Sequence, residues 1–223
     1  RSLSVILILL ALVEGLFSAA SGVKTVSVTD SSWYPLGTDN TYKMVDTIEE
    51  REKDTVDIYR TEVTRYYTLN DPTLIGVNGI SMFSSMVNSK MTDYMEKFGV
   101  CGWIASNRYS YQENSPFTNM MLNIKYLISP YNTSHDWYRD TTNLELITSS
   151  NSTALMQNKY YLPMGFMVKS DLLNYDISTL PATDPIANQN YFFRLATGFV
   201  GDLYEDIETV SESSSMVKAV APR

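Results

Sequence analysis

An apolar run from Leu3 to Phe17 (LSVILILLALVEGLF) constrains this chain more than any other stretch of it. A hydrocarbon core about 30 Å thick takes roughly 20 apolar residues as a helix, and the run supplies most of them. Glu14 lies near its C-terminal end, where a helix leaves the core. A charge at the bilayer centre would cost at least ~2.5 kcal/mol. No initiator Met precedes the run. The expectation is therefore an excerpt: the end of a transmembrane helix, then a long stretch too polar for lipid. The alternative is a signal peptide, with Arg1 as n-region, Val5 to Val13 as h-region and Ser18, Ala19 and Ala20 as cleavage site. Arg1 alone makes a poor n-region, which favours the helix. Both readings place the residues after Phe17 outside the cytoplasm, because Arg1 precedes the run and the next basic residue is Lys24.

The rest of the chain has to fold in water. With 223 residues and 44% hydrophobic content, it can build one sizeable core or two small ones. Net charge is -8, with acidic residues gathered between Asp39 and Asp57 and between Asp202 and Glu212. No basic patch could neutralise phosphates, which argues against a nucleic-acid partner. The single cysteine, Cys101, excludes an intrachain disulfide. Small secreted domains usually rely on such bridges, so their absence points to a bacterial exterior. There, the sequons at Asn132 and Asn151 are chance. Aromatic residues make up 12%, read first as packing and second as contact with sugars or lipid headgroups.

Along the chain, residues 1–17 read as the membrane segment, 18–54 as a connector ending in a short acidic helix from Asp39, 55–209 as the folded domain, and 210–223 as a tail or linker. Tyr34-Pro35-Leu36-Gly37 reads as a turn. Alternating apolar and polar residues predict a half-buried strand over Thr55 to Tyr67. Phe83, Val87, Met91, Tyr94, Met95 and Phe98 recur at the helical period, predicting a helix capped by Ser81 and stopped at Gly99. Pro116 opens another helix that runs into a strand over Lys125 to Ser129. Further strands are expected at Leu144 to Thr148, Ala154 to Asn158 and Met164 to Val168. A last helix starts with Asp184 as N-cap and Pro185, ending before Gly198. Strands and helices interleave without a strict βαβ repeat. The fold class expected is α/β or α+β, a mixed sheet with flanking helices preceded by the end of a transmembrane helix.

Catalytic chemistry is sparse. One histidine, His135, sits in a polar loop and reads as a surface residue, so there is no histidine-rich metal site. Cys101, between Gly99 and Gly102, reads as a small buried side chain. No phosphate loop, nucleophile elbow or zinc motif is present. Glu49/Glu50 and Glu205/Asp206 are sequence neighbours and read as solvated faces. No catalytic residue, metal ligand or cofactor is assigned.

Several separated segments carry a pattern: Ile58-Tyr-Arg-Thr-Glu, Asn70-Asp-Pro-Thr-Leu-Ile-Gly-Val-Asn-Gly-Ile-Ser-Met-Phe-Ser-Ser, Asn119-Met-Met-Leu-Asn-Ile-Lys-Tyr-Leu-Ile and Gln157-Asn-Lys-Tyr-Tyr-Leu-Pro-Met-Gly-Phe-Met-Val. A final piece runs from Pro185-Ile-Ala-Asn-Gln-Asn to Thr197-Gly. In order and spacing they resemble the bacterial YfhO family of multi-pass membrane proteins, over residues 55–200. The resemblance implies a GT-C-type glycosyltransferase with an extracytoplasmic active site, decorating envelope polymers such as lipoteichoic acid from a lipid-linked sugar donor. The catalytic carboxylate that such enzymes carry in early outer loops lies outside this chain, so the excerpt alone is expected to be inactive.

A water-side domain in such an enzyme would position its acceptor. An anionic envelope polymer calls for convergent cations, which nominates Arg60 and Lys125. Asn78, Ser84 and Ser85, around the start of the main helix, offer amide, hydroxyl and backbone donors to an anion. Each also has a structural reading: Arg60 as partner of Glu62, Asn78 as turn geometry, and the serines as first-turn residues of the helix. Two other functions compete with the transferase: a secreted or tethered module that grips glycan or peptide, and a domain that only packs on its own transmembrane helices. The latter would show a large apolar surface patch.

Overall fold

The computed structural model describes residues 2–26, 38–65, 67–103, 107–112, 114–130 and 142–205. The expected turn at Tyr34, the loop of His135 and the tail after residue 209 lie outside these. The chain divides into two compact units, Arg1–Thr38 and Asp39–Arg223.

Among its described residues the first unit is built on one helix, α1 (Ser2–Thr25), with no buried residue. It is long and apolar enough to cross a membrane. At 1.5 Å per residue its 24 residues span about 36 Å. It continues past Phe17 because Ser18, Ala19 and Ala20 are compatible with helix and no proline interrupts them.

The second unit is a mixed α/β domain. In chain order it comprises α2 (Thr38–Glu52), β1 (Arg60–Val63), α3 (Asp71–Ile75), β2 (Met82–Phe83), α4 (Ser89–Lys97), β3 (Cys101–Trp103) and β4 (Arg108–Ser110). Next come α5 (Pro116–Met121), β5 (Ile124–Ser129), β6 (Leu144–Ser150), β7 (Thr153–Asn158) and α6 (Pro185–Thr197). The main sheet has the order β1-β5-β7-β6. β1 runs parallel to β5, while β5, β7 and β6 are antiparallel neighbours. A small antiparallel sheet has the order β2-β4-β3.

β5 is buried at all six positions, which is why it reads as an unbroken apolar run rather than an alternation. On one face, Tyr126 and Ile128 of β5 and Leu155 of β7 pack with Met44, Val45 and Ile48 of α2. On the other, Leu127 and Met156 pack with Met95, Val100, Tyr109 and Tyr111. A third cluster is built from rings: Phe98 lies 5.5 Å from Phe192 and 6.0 Å from Phe117 between centroids. Gly99 closes α4 at φ +90°, with the Gln189 amide 2.7 Å from where a Cβ would sit. Only glycine meets both demands.

The acidic helix, the strands at β6 and β7, and the Asp184-capped α6 ending at Gly198 match their expectations. Three elements and the burial of one residue differ. The main helix starts at Ser89 with Asn88 as N-cap, its side chain accepting from the Lys90 amide at 2.9 Å. Met82 and Phe83 instead pair with Tyr109 and Arg108 of β4, so long-range pairing overrides the local helical period. Ser81 caps nothing: its hydroxyl donates to Glu62 at 2.8 Å and accepts from the Tyr111 amide at 2.9 Å. The strand from Thr55 is regular only from Arg60, where β5 supplies partners. Met164 to Val168 form no strand, and Met167 is 99% exposed. Cys101 is half-buried rather than buried.

Phe192→Ala removes the ring shared by Phe98, Phe117 and Tyr175. We expect a loss of about 3–5 kcal/mol in urea unfolding of the detergent-solubilised chain. A loss below about 1 kcal/mol would show that the ring cluster is not a core.

Candidate functional site

Among the described residues, the charged side chains of Glu62 on β1 and Lys125 on β5 are deeply embedded, and a cleft lies beside them. Glu62, on β1, is fully buried. Its carboxylate accepts from the Ile80 amide, from the Ser81 amide at 2.8 Å and from the Ser81 hydroxyl at 2.8 Å. These bonds stitch β1 to the loop before β2. Burial pushes the Glu62 carboxyl above the ordinary range and outweighs the donors from Ser81 and Ile80, which pull the other way.

Lys125, on β5, is 6% exposed. Its ammonium lies 2.7 Å from Glu52 at the end of α2. It also sits 5.2, 5.6 and 5.3 Å from the ring centroids of Tyr59, Tyr126 and Tyr161. Burial alone would raise the Glu52 carboxyl. Hydrogen bonds from Lys125 and Tyr126, together with the ammonium charge, hold it below the usual range. For Lys125, burial works to lower its pKa, but the hydrogen bonds to Glu52 and Tyr161, with the nearby Tyr126 and Tyr161, together outweigh it and raise it. The pair is thus ionised at neutral pH, and Lys125 has no free base form with which to act as a nucleophile.

The cleft, about 230 Å³, is lined by Val45, Ile48 and Glu49 of α2, by Asp57, Ile58 and Tyr59 before β1, by Thr61 on β1, and by Gly76, Val77 and Asn78. Thr61 is 1% exposed. Its amide donates to the Asn78 carbonyl at 2.7 Å, which ties the loop to the outer edge of the sheet. Its Oγ1 is buried without a hydrogen-bond partner. Tyr59 belongs to both features: it lines the cleft and carries the Lys125 ammonium against its ring.

The five residues nominated from sequence are spread over this region. Asn78 is exposed and lines the cleft. Arg60 donates to the Leu122 carbonyl at 2.6 Å, the C-cap of α5, and Glu62 bonds elsewhere. Lys125 is held by Glu52. Ser84 accepts from the Met86 amide at 3.2 Å in a turn before α4, and Ser85 is exposed beside it. None of these bonds links one of the five to another. Glu49, Asp57, Tyr59 and Thr61 are cleft residues that the sequence pattern does not single out. A signal for three of them exists: positions 57, 59 and 61 share one face in a period of two. Glu49 is masked by its neighbour Glu50, which gives the pair the look of a solvated face.

Among the described residues no three His, Cys, Asp or Glu side chains could hold a metal. Burial raises the Cys101 thiol, so it is not a ready thiolate.

Lys125→Met leaves Glu52 charged and unpaired, and should cost about 3 kcal/mol in urea unfolding. The double variant Glu52→Gln, Lys125→Met should recover most of that loss. Equal losses in the single and double variants would mean that the pair does not act as a unit. The Glu62 carboxyl makes a separate prediction. Because the folded state holds its proton more tightly than the unfolded chain, stability falls as pH rises from the ordinary glutamate value through the raised folded value. Glu62→Gln should flatten that slope in urea titrations at a series of pH values. Identical slopes would show that Glu62 carries no raised pKa. Glu52 works with the opposite sign: its contribution is present above the ordinary value and is lost as pH falls through its lowered one.

The family model described as "Bacterial membrane protein YfhO" matches residues 1–220. No curated protein and no solved structure matches the chain.

Proposed function

The chain belongs to the YfhO family of bacterial membrane proteins, and on that premise we propose that it is the extracytoplasmic part of a GT-C-type glycosyltransferase. The enzyme moves sugar from a lipid-linked donor to an anionic envelope polymer of the lipoteichoic acid kind. The observation that carries this reading is the family match over residues 1–220 together with an unburied apolar helix, α1, long enough to cross a membrane, in a chain that also holds a separate α/β unit. Such a unit suits a positioning role: it holds an acceptor near a donor fixed in the bilayer, while the reacting groups come from elsewhere in the protein. The charge asymmetry around α1, with Arg1 before it and Lys24 as the next basic residue, supports the extracytoplasmic side.

Of the nominated residues, Asn78 stays in this reading, since it is exposed beside a cleft. Arg60 and Lys125 act through the fold, capping α5 and clamping Glu52.

Orientation is tested first. Val56 is 97% exposed. A Val56→Cys variant in intact bacterial cells should react with a membrane-impermeant maleimide, and the unsubstituted chain should react far less. Labelling only after permeabilisation would place the domain inside and end the proposal. Transfer is tested by incubating membranes of cells with and without the gene with a radiolabelled lipid-linked sugar. Label should reach the anionic polymer only when the protein is present.

A further inference from the structure

The cleft between α2 and β1 has a lining with a definite chemical preference. Its ionisable side chains among the described residues are Glu49, Asp57 and Tyr59, and no Lys or Arg lines it. Two carboxylates offer acceptors only, while the Asn78 amide and the Thr61 hydroxyl supply both donor and acceptor capacity. Val45, Ile48, Ile58 and the Tyr59 ring add an apolar wall. A phosphate brought here meets like charge and no cation. A ligand bearing many hydroxyls meets acceptors for its O–H groups and apolar surface for its C–H face.

Thr61 is the second, independent pointer. Alternation along β1 puts it on the same side as Val63, the side packed by α2. A buried hydroxyl with no partner costs free energy in the unliganded fold, and valine would serve the strand as well or better. Thr61 Oγ1 has no such partner, and its residue forms part of the cleft lining. Oγ1 is closed off from water in the unliganded fold, so a ligand hydroxyl satisfies it only by displacing the side chains that cover it. At about 230 Å³ the cleft is smaller than the ~300–1,000 Å³ typical of sites for drug-sized molecules, so it takes one ring rather than a chain.

We propose that this cleft binds a single uncharged sugar residue through its hydroxyl groups, with Glu49, Asp57, Thr61 and Asn78 as hydrogen-bonding partners and Tyr59 as apolar wall. The assignment stands on the cleft itself. Only its place in sugar transfer, holding the sugar unit of an acceptor, rests on the transferase reading.

The test uses the full chain, labelled with nitrogen-15, in a sugar-free detergent. Methyl glucoside, methyl galactoside and methyl N-acetylglucosaminide are titrated in turn, with glucose 6-phosphate as the charged comparison. At least one neutral glycoside should give saturable shifts of the Thr61, Asn78 and Glu49 amides with a Kd near the millimolar range. Glucose 6-phosphate should bind at least about tenfold more weakly, equivalent to ~1.4 kcal/mol. Thr61→Val should leave the urea midpoint unchanged or higher, yet weaken sugar binding by about tenfold. Asp57→Asn, at an exposed position, should narrow the gap between neutral and phosphorylated sugar. The inference is overturned by any of three results: no saturable shift with all three glycosides, unchanged binding in Thr61→Val, or equal affinity for the phosphorylated sugar. A protein that transfers sugar while this cleft ignores glycosides refutes the inference alone. Glycoside binding here without transfer refutes the transferase reading alone.

Discussion

The parallel pairing of β1 with β5 is the constraint on which the domain depends. Two parallel strands cannot be joined by a tight turn, so the chain between Val63 and Ile124 has to leave the sheet and return. That excursion carries α3, the small sheet, α4 and α5. It covers one face of the sheet with Met95, Val100, Tyr109 and Tyr111, while α2 covers the other. The domain is thus layered around β5, the strand with every residue buried.

β1 is also the edge of that sheet, and an edge presents unpaired backbone groups. The protein manages this with side chains and a loop rather than another strand. The Asn78 carbonyl takes the Thr61 amide, and Glu62 takes the Ile80 and Ser81 amides. Gly79 permits the close approach, since a Cβ there would fall 2.6 Å from the Glu62 carboxylate and 2.3 Å from Pro72. Fastening the loop in this way leaves a gap between it and α2, and that gap is the cleft. Lys125 and Glu52 tie the C-terminal end of α2 to β5. The ring of Tyr59 lies against the ammonium of this pair and on the cleft wall, so the clamp and the cleft share one side chain.

Charge divides the region by depth. The buried cation is fully engaged by a carboxylate and three rings, so it adds stability rather than reach. The exposed carboxylates Glu49 and Asp57 remain at the surface, where they set the preference of the cleft without a large desolvation cost.

The legible part of the sequence is local. The apolar helix α1, the proline-started α5 and α6, the stop at Gly99, and the strands β5, β6 and β7 depend on hydrophobic period, caps and backbone preferences that a few neighbouring residues decide. The ordered segments also lead to the right family. Where partners are distant, local signals fail. The helical period at Phe83 and Val87 loses to the pairing of Met82 and Phe83 with β4. The three-residue strands β3 and β4 are too short to announce themselves. Lys125 and Arg60 read as anion-binding candidates, with Glu62 as the local partner offered for Arg60, because nothing near them in sequence shows Glu52 or the Leu122 carbonyl. Sequence by itself determined that the chain carries an apolar membrane segment and a mixed α/β domain, because both depend on the spacing of apolar residues; that the helix runs on from Phe17 through Thr25 came from the structure. Only the tertiary structure decided which charges are spent inside the fold and which face a cleft, because that depends on contacts between residues far apart along the chain.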